Sequence, residues 1–193
     1  MRIISGTLKG RKLNFIKNST TRPLKDSVRE NIFNILIHSS HIKTKIINSN
    51  VLDLYSGIGS FGIECISRGA KKVYMIDKNR DAINLINENL SKISLNIELG
   101  KKLFVIKQDI TKSKKLQLPK FDFIYFDPPY SSNIYSTVLK IISDNKILNN
   151  KGIILVETDK LLNIDKLNLE PIFSKKIGSS YLQCFKKLLD PLK

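Results

Sequence analysis

Residues 126–130 read FDPPY, and few chemistries suit that stretch. Asp127 supplies a carboxylate, Pro128 a carbonyl, Pro129 a second fixed φ and Tyr130 an aromatic ring. Each proline ring fixes φ and removes a donor, so a turn built from two is stiff. Such a ledge suits an exocyclic amine on a nucleobase. That nitrogen is a poor nucleophile, because its lone pair is delocalised into the ring. Two acceptors gripping its N–H groups draw it toward sp³ and aim the lone pair, while Tyr130 stacks on the base. A methyl group delivered in line then reaches it, and positioning supplies most of the acceleration. The proton that leaves goes to Asp127 or to a chain of water. The plain alternative is a Pro-Pro turn that only closes a strand.

A second stretch, DLYSGIGSFG at 53–62, raises the matter of a cofactor. Gly57, Gly59 and Gly62 match G-x-G-x-x-G, and Asp77 follows twenty positions after the first glycine, as in dinucleotide-binding sites. Asp53 argues against a pyrophosphate. Phosphates on a glycine loop want N–H donors and a helix N-terminus, and a carboxylate four residues earlier adds repulsion. S-adenosylmethionine has no phosphate. Its sulfonium and ammonium favour a nearby acid. Asp77 then suits the ribose hydroxyls, and Asp109 with the adjoining Ile110 backbone suits the adenine edge. Gly57 and Gly59 let the backbone come close, with Tyr55 beside them. The D-x-Y-x-G-x-G pattern therefore points to S-adenosylmethionine rather than a nicotinamide nucleotide.

These acids need a scaffold that brings them together. VLDLY, KKVYMID, LFVIKQD, FDFIYFD and GIILVET read as five strands, and Asp53, Asp77, Asp109 and Asp127 fall at the ends of the first four. FGIECISRG, NRDAINLINENL and IYSTVLKIISD carry helical spacing between them. The tail offers two more strands, PIFSKKIG and SYLQCFKK, around Gly178 and Ser179, which implies an antiparallel pair ending an otherwise parallel sheet. The fold expected is α/β: a doubly wound, Rossmann-like, seven-stranded sheet with all four acids along its carboxyl edge. Ahead of it, RIISGTLKGRKLNF reads as a hairpin. TRPLKDSVRENIFNILIHS reads as a helix capped by Asp26 or Ser27, with Val28, Ile32, Ile35 and Leu36 on one face. The division expected is residues 1–46 as a hairpin-and-helix appendage and 47–193 as the catalytic domain.

Composition narrows the partners. The chain has 193 residues and a net charge of +16, which suggests a polyanionic partner. Lysine, asparagine and isoleucine are abundant together, so arginine is the cleaner signal. Four of the six arginines (Arg2, Arg11, Arg22, Arg29) lie in the first 29 residues, where they suit phosphate or base contacts. Two cysteines, Cys65 and Cys184, lie far apart and read as reduced thiols. With His38 and His41 the only histidines, no metal site is expected. MRIISGTLKG is too short an apolar run for a signal peptide, and no window reaches the roughly 18 apolar residues of a membrane span. A cytoplasmic location is expected, and a small basic domain suits a monomer.

Taken together, DLYSGIGSFG and DPPY resemble the class I S-adenosylmethionine-dependent methyltransferases of exocyclic amines. RIISGTLKGRKL, TRPLKDSVRENIFNIL and VLDLYSGIGSFGIECISRGA are similar to the RsmD family, whose members methylate guanine N2 in 16S ribosomal RNA. The resemblance implies cofactor contacts from Asp53, Tyr55, Gly57, Gly59, Asp77, Asp109 and Ile110. It implies that Asp127, Pro128, Pro129 and Tyr130 hold the guanine. It implies RNA contacts from Arg2, Lys9, Arg11, Lys12, Arg22 and Arg29. The partner implied is 16S rRNA in the small subunit or an assembly intermediate. Three competing readings stand beside it. A DNA adenine-N6 methyltransferase shares DPPY but usually carries a larger recognition domain. A nicotinamide-dependent oxidoreductase leaves DPPY unexplained. A non-catalytic ribosome-assembly protein would have no use for an intact 127–130 stretch.

Overall fold

The computed structural model describes residues 1–15, 26–93, 100–113, 115–128, 134–165 and 167–188. Seven strands form one sheet in the order β3-β2-β1-β4-β5-β7-β6. They are β1 (Asn50–Leu54), β2 (Lys72–Asp77), β3 (Leu103–Lys107), β4 (Phe121–Phe126), β5 (Leu148–Thr158), β6 (Leu169–Ile177) and β7 (Ser180–Lys187). The first five run parallel. β7 pairs antiparallel with both β5 and β6, so the last strand in sequence sits inside the sheet and β6 takes the edge.

The central strands are apolar on both faces because both faces are covered. On one face Val51, Val73, Met75, Phe123, Tyr125 and Leu155 pack with residues of α1 (Asp26–His38), α2 (Ser60–Ser67) and α3 (Arg80–Ile93). On the other, Leu52, Leu54, Ile76, Ile124, Phe126 and Val156 pack with Val138, Leu139 and Ile142 of α4 (Ile134–Asp144). Residues of the first 46, including Ile3, Leu13, Phe33 and Ile46, belong to the first of these clusters. Cys65 and Cys184 are buried free thiols. Among the described residues no helix is long and apolar enough to cross a membrane.

The N-terminal segment forms the hairpin read in sequence, and its helix buries a different face from the one expected. The hairpin closes about an antiparallel bridge, Arg2 to Lys12, with Ile3 N–H donating to the Arg11 carbonyl at 2.9 Å, Gly10 N–H to the Ile3 carbonyl at 2.9 Å and Leu13 N–H to the Met1 carbonyl at 3.1 Å. Two of its turn donors reach α2: Thr7 N–H to the Ser67 carbonyl at 2.8 Å and Leu8 N–H to Ser67 Oγ at 3.0 Å. Gly6 makes this approach possible. A Cβ there would lie 1.8 Å from the Ser67 carbonyl oxygen, and its φ is +84°. In α1 the buried face is Arg29, Ile32, Phe33 and Leu36, while Val28 and Ile35 are only half-buried. The side chains of Asp26 and Ser27, expected as caps, lie outside the described set.

Candidate active site

The site is built from strand ends at the carboxyl edge. β1 passes into Tyr55, whose φ is +57°, and then into a turn with Gly57 and Gly59 also left-handed. The Ser56 hydroxyl lies 2.7 Å from the Asp53 carbonyl and 3.1 Å from that of Ile76, which ties the turn to β1 and β2. Gly59 is the left-handed N-cap of α2. Gly62 brings the helix down on β2, for a Cβ there would meet Met75 Cγ at 2.8 Å and Val73 Cγ1 at 3.0 Å.

Two carboxylates take the donors that this loop would offer a phosphate. Asp77 Oδ2 accepts from Gly57 N–H at 2.9 Å, and Asp77 Oδ1 from Asn79 N–H at 2.9 Å. Asp53 Oδ2 accepts from Gly62 N–H, in the first turn of α2, at 3.0 Å. Asp53 is 1% exposed. Its pKa is pushed up to about 8, first by burial and then by the negative charges of Asp77 and Asp127, against the Gly62 hydrogen bond that lowers it. Asp53 thus holds the loop and is turned away from open solvent.

A notch between the ends of β1, β2 and β3 is lined by Leu54, Tyr55, Ile76, Asp77, Asp109 and Ile110, together with Lys78 and Gln108. Four residues chosen from sequence for the cofactor therefore share one concavity: Tyr55, Asp77, Asp109 and Ile110. Asp109 accepts from Thr111 Oγ1 at 2.6 Å and Thr111 N–H at 3.1 Å, capping a short 3-10 helix, Ile110–Lys112. The Thr111 hydroxyl bond is the main cause that holds the Asp109 carboxyl below its usual range, with Lys78 and Lys112 adding to it. The Tyr55 hydroxyl is buried with no hydrogen-bond partner among the described residues. Its pKa is pushed up to about 12 by burial and by Asp109 and Asp77. An orphaned hydroxyl and acids with spare lone pairs suit a nucleoside rich in donors.

Asp127 follows β4, beside β1. Its charge is among the causes that raise Asp53 and Tyr125. Pro128 is buried. Pro129, Tyr130 and Arg22 lie outside the described residues. Tyr125 stacks on Phe61 at 4.1 Å and its hydroxyl points to Glu157 Oε2 at 3.5 Å. Glu157 was not among the residues selected from sequence. The register pairs Phe126 with Val156, so Glu157 and Asp127 are the next residues on neighbouring strands. The rule that selected the other acids, a carboxylate at a strand end, applied equally to GIILVET.

The proposed RNA contacts divide. Arg2, Lys9, Arg11 and Lys12 are exposed on the N-terminal segment. Arg29 is a correction: its exposure is 0%. Its guanidinium donates to the Arg2 carbonyl and lies 3.9 Å from Glu64 Oε2. A side chain enclosed in this way offers no surface to a phosphate. Glu64 is the hub of that contact. It also accepts from Ile4 N–H at 2.8 Å, Ser5 N–H at 2.9 Å and Arg68 Nε at 2.8 Å. A charged residue inside the apolar helix FGIECIS was the available signal for it. Further along, Asn14 exchanges hydrogen bonds with Asn89 of α3, which also reaches the Ile58 carbonyl in the glycine loop. The N-terminal segment is thus fastened on both sides of that loop.

Known proteins resemble this arrangement over nearly the whole chain. A family model described as conserved hypothetical protein 95 matches residues 1–186. Ribosomal RNA small subunit methyltransferase D of Haemophilus influenzae is 32% identical over 160 residues, which is 83% of this chain and 79% of that protein. The protein of the same name from Buchnera aphidicola (subspecies Acyrthosiphon pisum) is 29% identical over 184 residues, 95% of this chain and 90% of its own. Among solved structures, a candidate methylase from Haemophilus influenzae superposes with a TM-score of 0.74 at 29% identity, covering 97% of this chain and 98% of that one. A candidate methyltransferase from Escherichia coli gives a TM-score of 0.78 at 24% identity, covering 97% of each, and supports the fold.

Proposed function

The chain belongs to the RsmD family of methyltransferases, and from that premise we propose that it transfers a methyl group from S-adenosylmethionine to the exocyclic N2 amine of a guanine in 16S ribosomal RNA. The substrate in this reading is the small subunit or its assembly intermediate, met in the cytoplasm by a monomer. Residues 47–193 act as the methyltransferase domain and residues 1–46 as the appendage that meets RNA.

The observation that carries this reading is the pair of carboxylate clasps on the glycine loop. Asp77 and Asp53 occupy Gly57 N–H and Gly62 N–H. A pyrophosphate would find those two donors taken and the Asp77 carboxylate beside them, whereas a phosphate-free nucleoside finds in Asp77 an acceptor for its hydroxyls. Asp77 keeps a lone pair on each oxygen for the ribose hydroxyls, and Asp109 with Ile110 closes the adenine side of the notch. When bound, the cofactor supplies an electrophilic methyl on its sulfonium. Asp127 and the Pro128 carbonyl accept from the two N–H groups of the guanine amine and aim its lone pair, and Tyr130 stacks on the base. The proton that the alkylated nitrogen releases passes to Asp127 or to a chain of water. Arg2, Lys9, Arg11, Lys12 and Arg22 hold the RNA backbone.

The test is methyl transfer from labelled S-adenosylmethionine to unmethylated small subunits, naked 16S RNA and duplex DNA, each digested to nucleosides. Label in N2-methylguanosine, mainly from subunits, is expected. Label in N6-methyladenine from DNA would overturn the assignment of base and polymer.

A further inference from the structure

Acids gather at the carboxyl ends of the sheet, beside Lys78 and Lys107, and lysines at its amino ends, beside Asp122. The acids are Asp53, Asp77, Asp109, Asp127 and Glu157. Lys71 stands before β2, Lys102 before β3 and Lys120 before β4, Lys151 lies in the first half of β5, and Lys43 and Lys45 lie in the loop before β1. All six are exposed. Hydrogen bonds join the segments side by side. The Thr44 hydroxyl donates to the Lys151 carbonyl at 2.6 Å, Asn50 Nδ2 to that of Lys120 at 3.5 Å, and Val73 N–H to that of Lys102 at 2.8 Å.

None of the six takes part in an ion pair among the described residues. Asp122, the acid placed among them, is committed elsewhere. It accepts from Asn50 N–H at 2.8 Å and from Asn149 Nδ2 at 2.7 Å. From β3 to β5 is four inter-strand steps, about 19 Å in all. At the β2–β3 end the strip opens into a cleft of about 360 Å³ whose lining includes Thr7, Asn48, Gly69, Lys71 and Lys102. Thr7 belongs to the N-terminal segment that presents Lys9, Arg11 and Lys12, so the cleft adjoins that segment.

Like charges fixed along a rigid edge repel one another and contribute nothing to the fold. A polyanion whose charge repeats over about 19 Å offsets that repulsion. A small anion would fill the cleft and leave Lys120 and Lys151 unmet. We propose that the amino edge of the sheet is a second nucleic-acid contact surface, holding phosphate backbone of the RNA whose base is presented at the opposite edge. This rests on the RNA-methyltransferase reading above. Strands of five or six residues set the two edges about 17–20 Å apart. The surface therefore meets a different part of a folded RNA from the part that carries the target base, which favours a large structured substrate over a short stem-loop.

The test uses the full chain with Lys71→Gln, Lys102→Gln and Lys120→Gln combined. The probe is a fluorescent RNA duplex of about two helical turns, titrated across a salt series. Expected is a loss of about tenfold in duplex affinity at low salt, and a fall of about 2 to 3 in the slope of log affinity against log salt. S-adenosylmethionine affinity should stay at the parent value, which shows that the variant is folded. A parent slope kept in full by the triple variant would return the lysines to plain solvated charge and overturn the proposal. Weakened self-association with an unchanged slope would also overturn it, by naming a second copy as the occupant. A lowered slope in a protein that methylates no RNA would support the surface while sinking the proposed function.

Discussion

Two buried carboxylates in this molecule do the same local job under opposite electrostatics. Glu64 in α2 and Asp53 in β1 each accept backbone N–H groups from another segment. Glu64 is met by cations, with Arg68 Nε at 2.8 Å and Arg29 Nε at 3.9 Å. Asp53 has acids for charged neighbours, Asp77 and Asp127, and its pKa is pushed up to about 8. The first is a neutralised clasp that fixes the N-terminal segment. The second is held protonated by burial and by its acidic neighbours up to about pH 8, so it is an inward hydrogen-bonding clasp, not a charge offered at the edge where a cationic cofactor is proposed to bind. Perturbed acids of this kind collect at functional sites.

The largest effect is expected at Asp53. Its folded pKa lies above its unfolded value near 4, so between about pH 4 and 8 the native state holds a proton that the unfolded chain has lost. Stability must then fall as pH rises through that window and level off above it, by up to several kcal/mol at about 1.36 kcal/mol per pKa unit. Asp53→Asn keeps an acceptor for Gly62 N–H and should remove that slope, which urea titrations at a series of pH values would read. Parallel curves for the parent and the variant would mean that Asp53 ionises normally. On the other side, Glu64→Ala removes an acid from beside the buried Arg29 and the acceptor for Ile4 N–H, Ser5 N–H and Arg68 Nε. A loss of about 3–5 kcal/mol is expected, seen as a lower Tm and as faster hydrogen exchange at Ile4 and Ser5. A variant as stable as the parent would show that Arg29 does not depend on Glu64.

Asp127→Ala removes an acid proposed to act on substrate, not on the loop or the N-terminal segment. A loss of about 10²- to 10³-fold in kcat is expected, on the scale of deleting one preorganised hydrogen-bonding group from a reaction site. S-adenosylmethionine affinity should change by less than about threefold, since the group is assigned to the amine. A large loss of cofactor binding with kcat preserved would move Asp127 to the cofactor side.

Much of this was legible because it is local. α4 runs from Ile134 to Asp144 as its spacing predicts, and the first four parallel strands end within two residues of Asp53, Asp77, Asp109 and Asp127. The notch gathers Tyr55, Asp77, Asp109 and Ile110 because strand ends in a parallel sheet share an edge. What was not legible depends on distant partners. Arg29 reads as a surface cation until Glu64, 35 positions away, is seen to bury it, and this turns α1 toward Phe33 and away from Val28. The position of β7 between β5 and β6 does not follow from the Gly178–Ser179 turn, which fixes only the pairing of the last two strands. Asp53 reads as an acid facing a ligand, and only the descent of α2 at Gly62 turns its carboxylate inward.

The smallest effect is expected at Asp77, and it tests whether an acid on the glycine loop belongs to the loop or to the ligand. Each Asp77 oxygen already accepts one backbone N–H, from Asn79 and Gly57, and each retains a lone pair that a ribose hydroxyl can use. Asp77→Ala should weaken S-adenosylmethionine binding about 10- to 100-fold, the scale of one to two hydrogen bonds to a charged group. The loop bonds predict a modest fall in Tm as well, so affinity alone does not separate the two roles. A cofactor analogue lacking the 2′-hydroxyl does. The parent should bind it more weakly than its full counterpart, whereas Asp77→Ala should bind the two alike. If the variant still discriminates between them as the parent does, the hydroxyl is held by another group. Asp77 would then be a clasp like Glu64, differing only in that no arginine meets it.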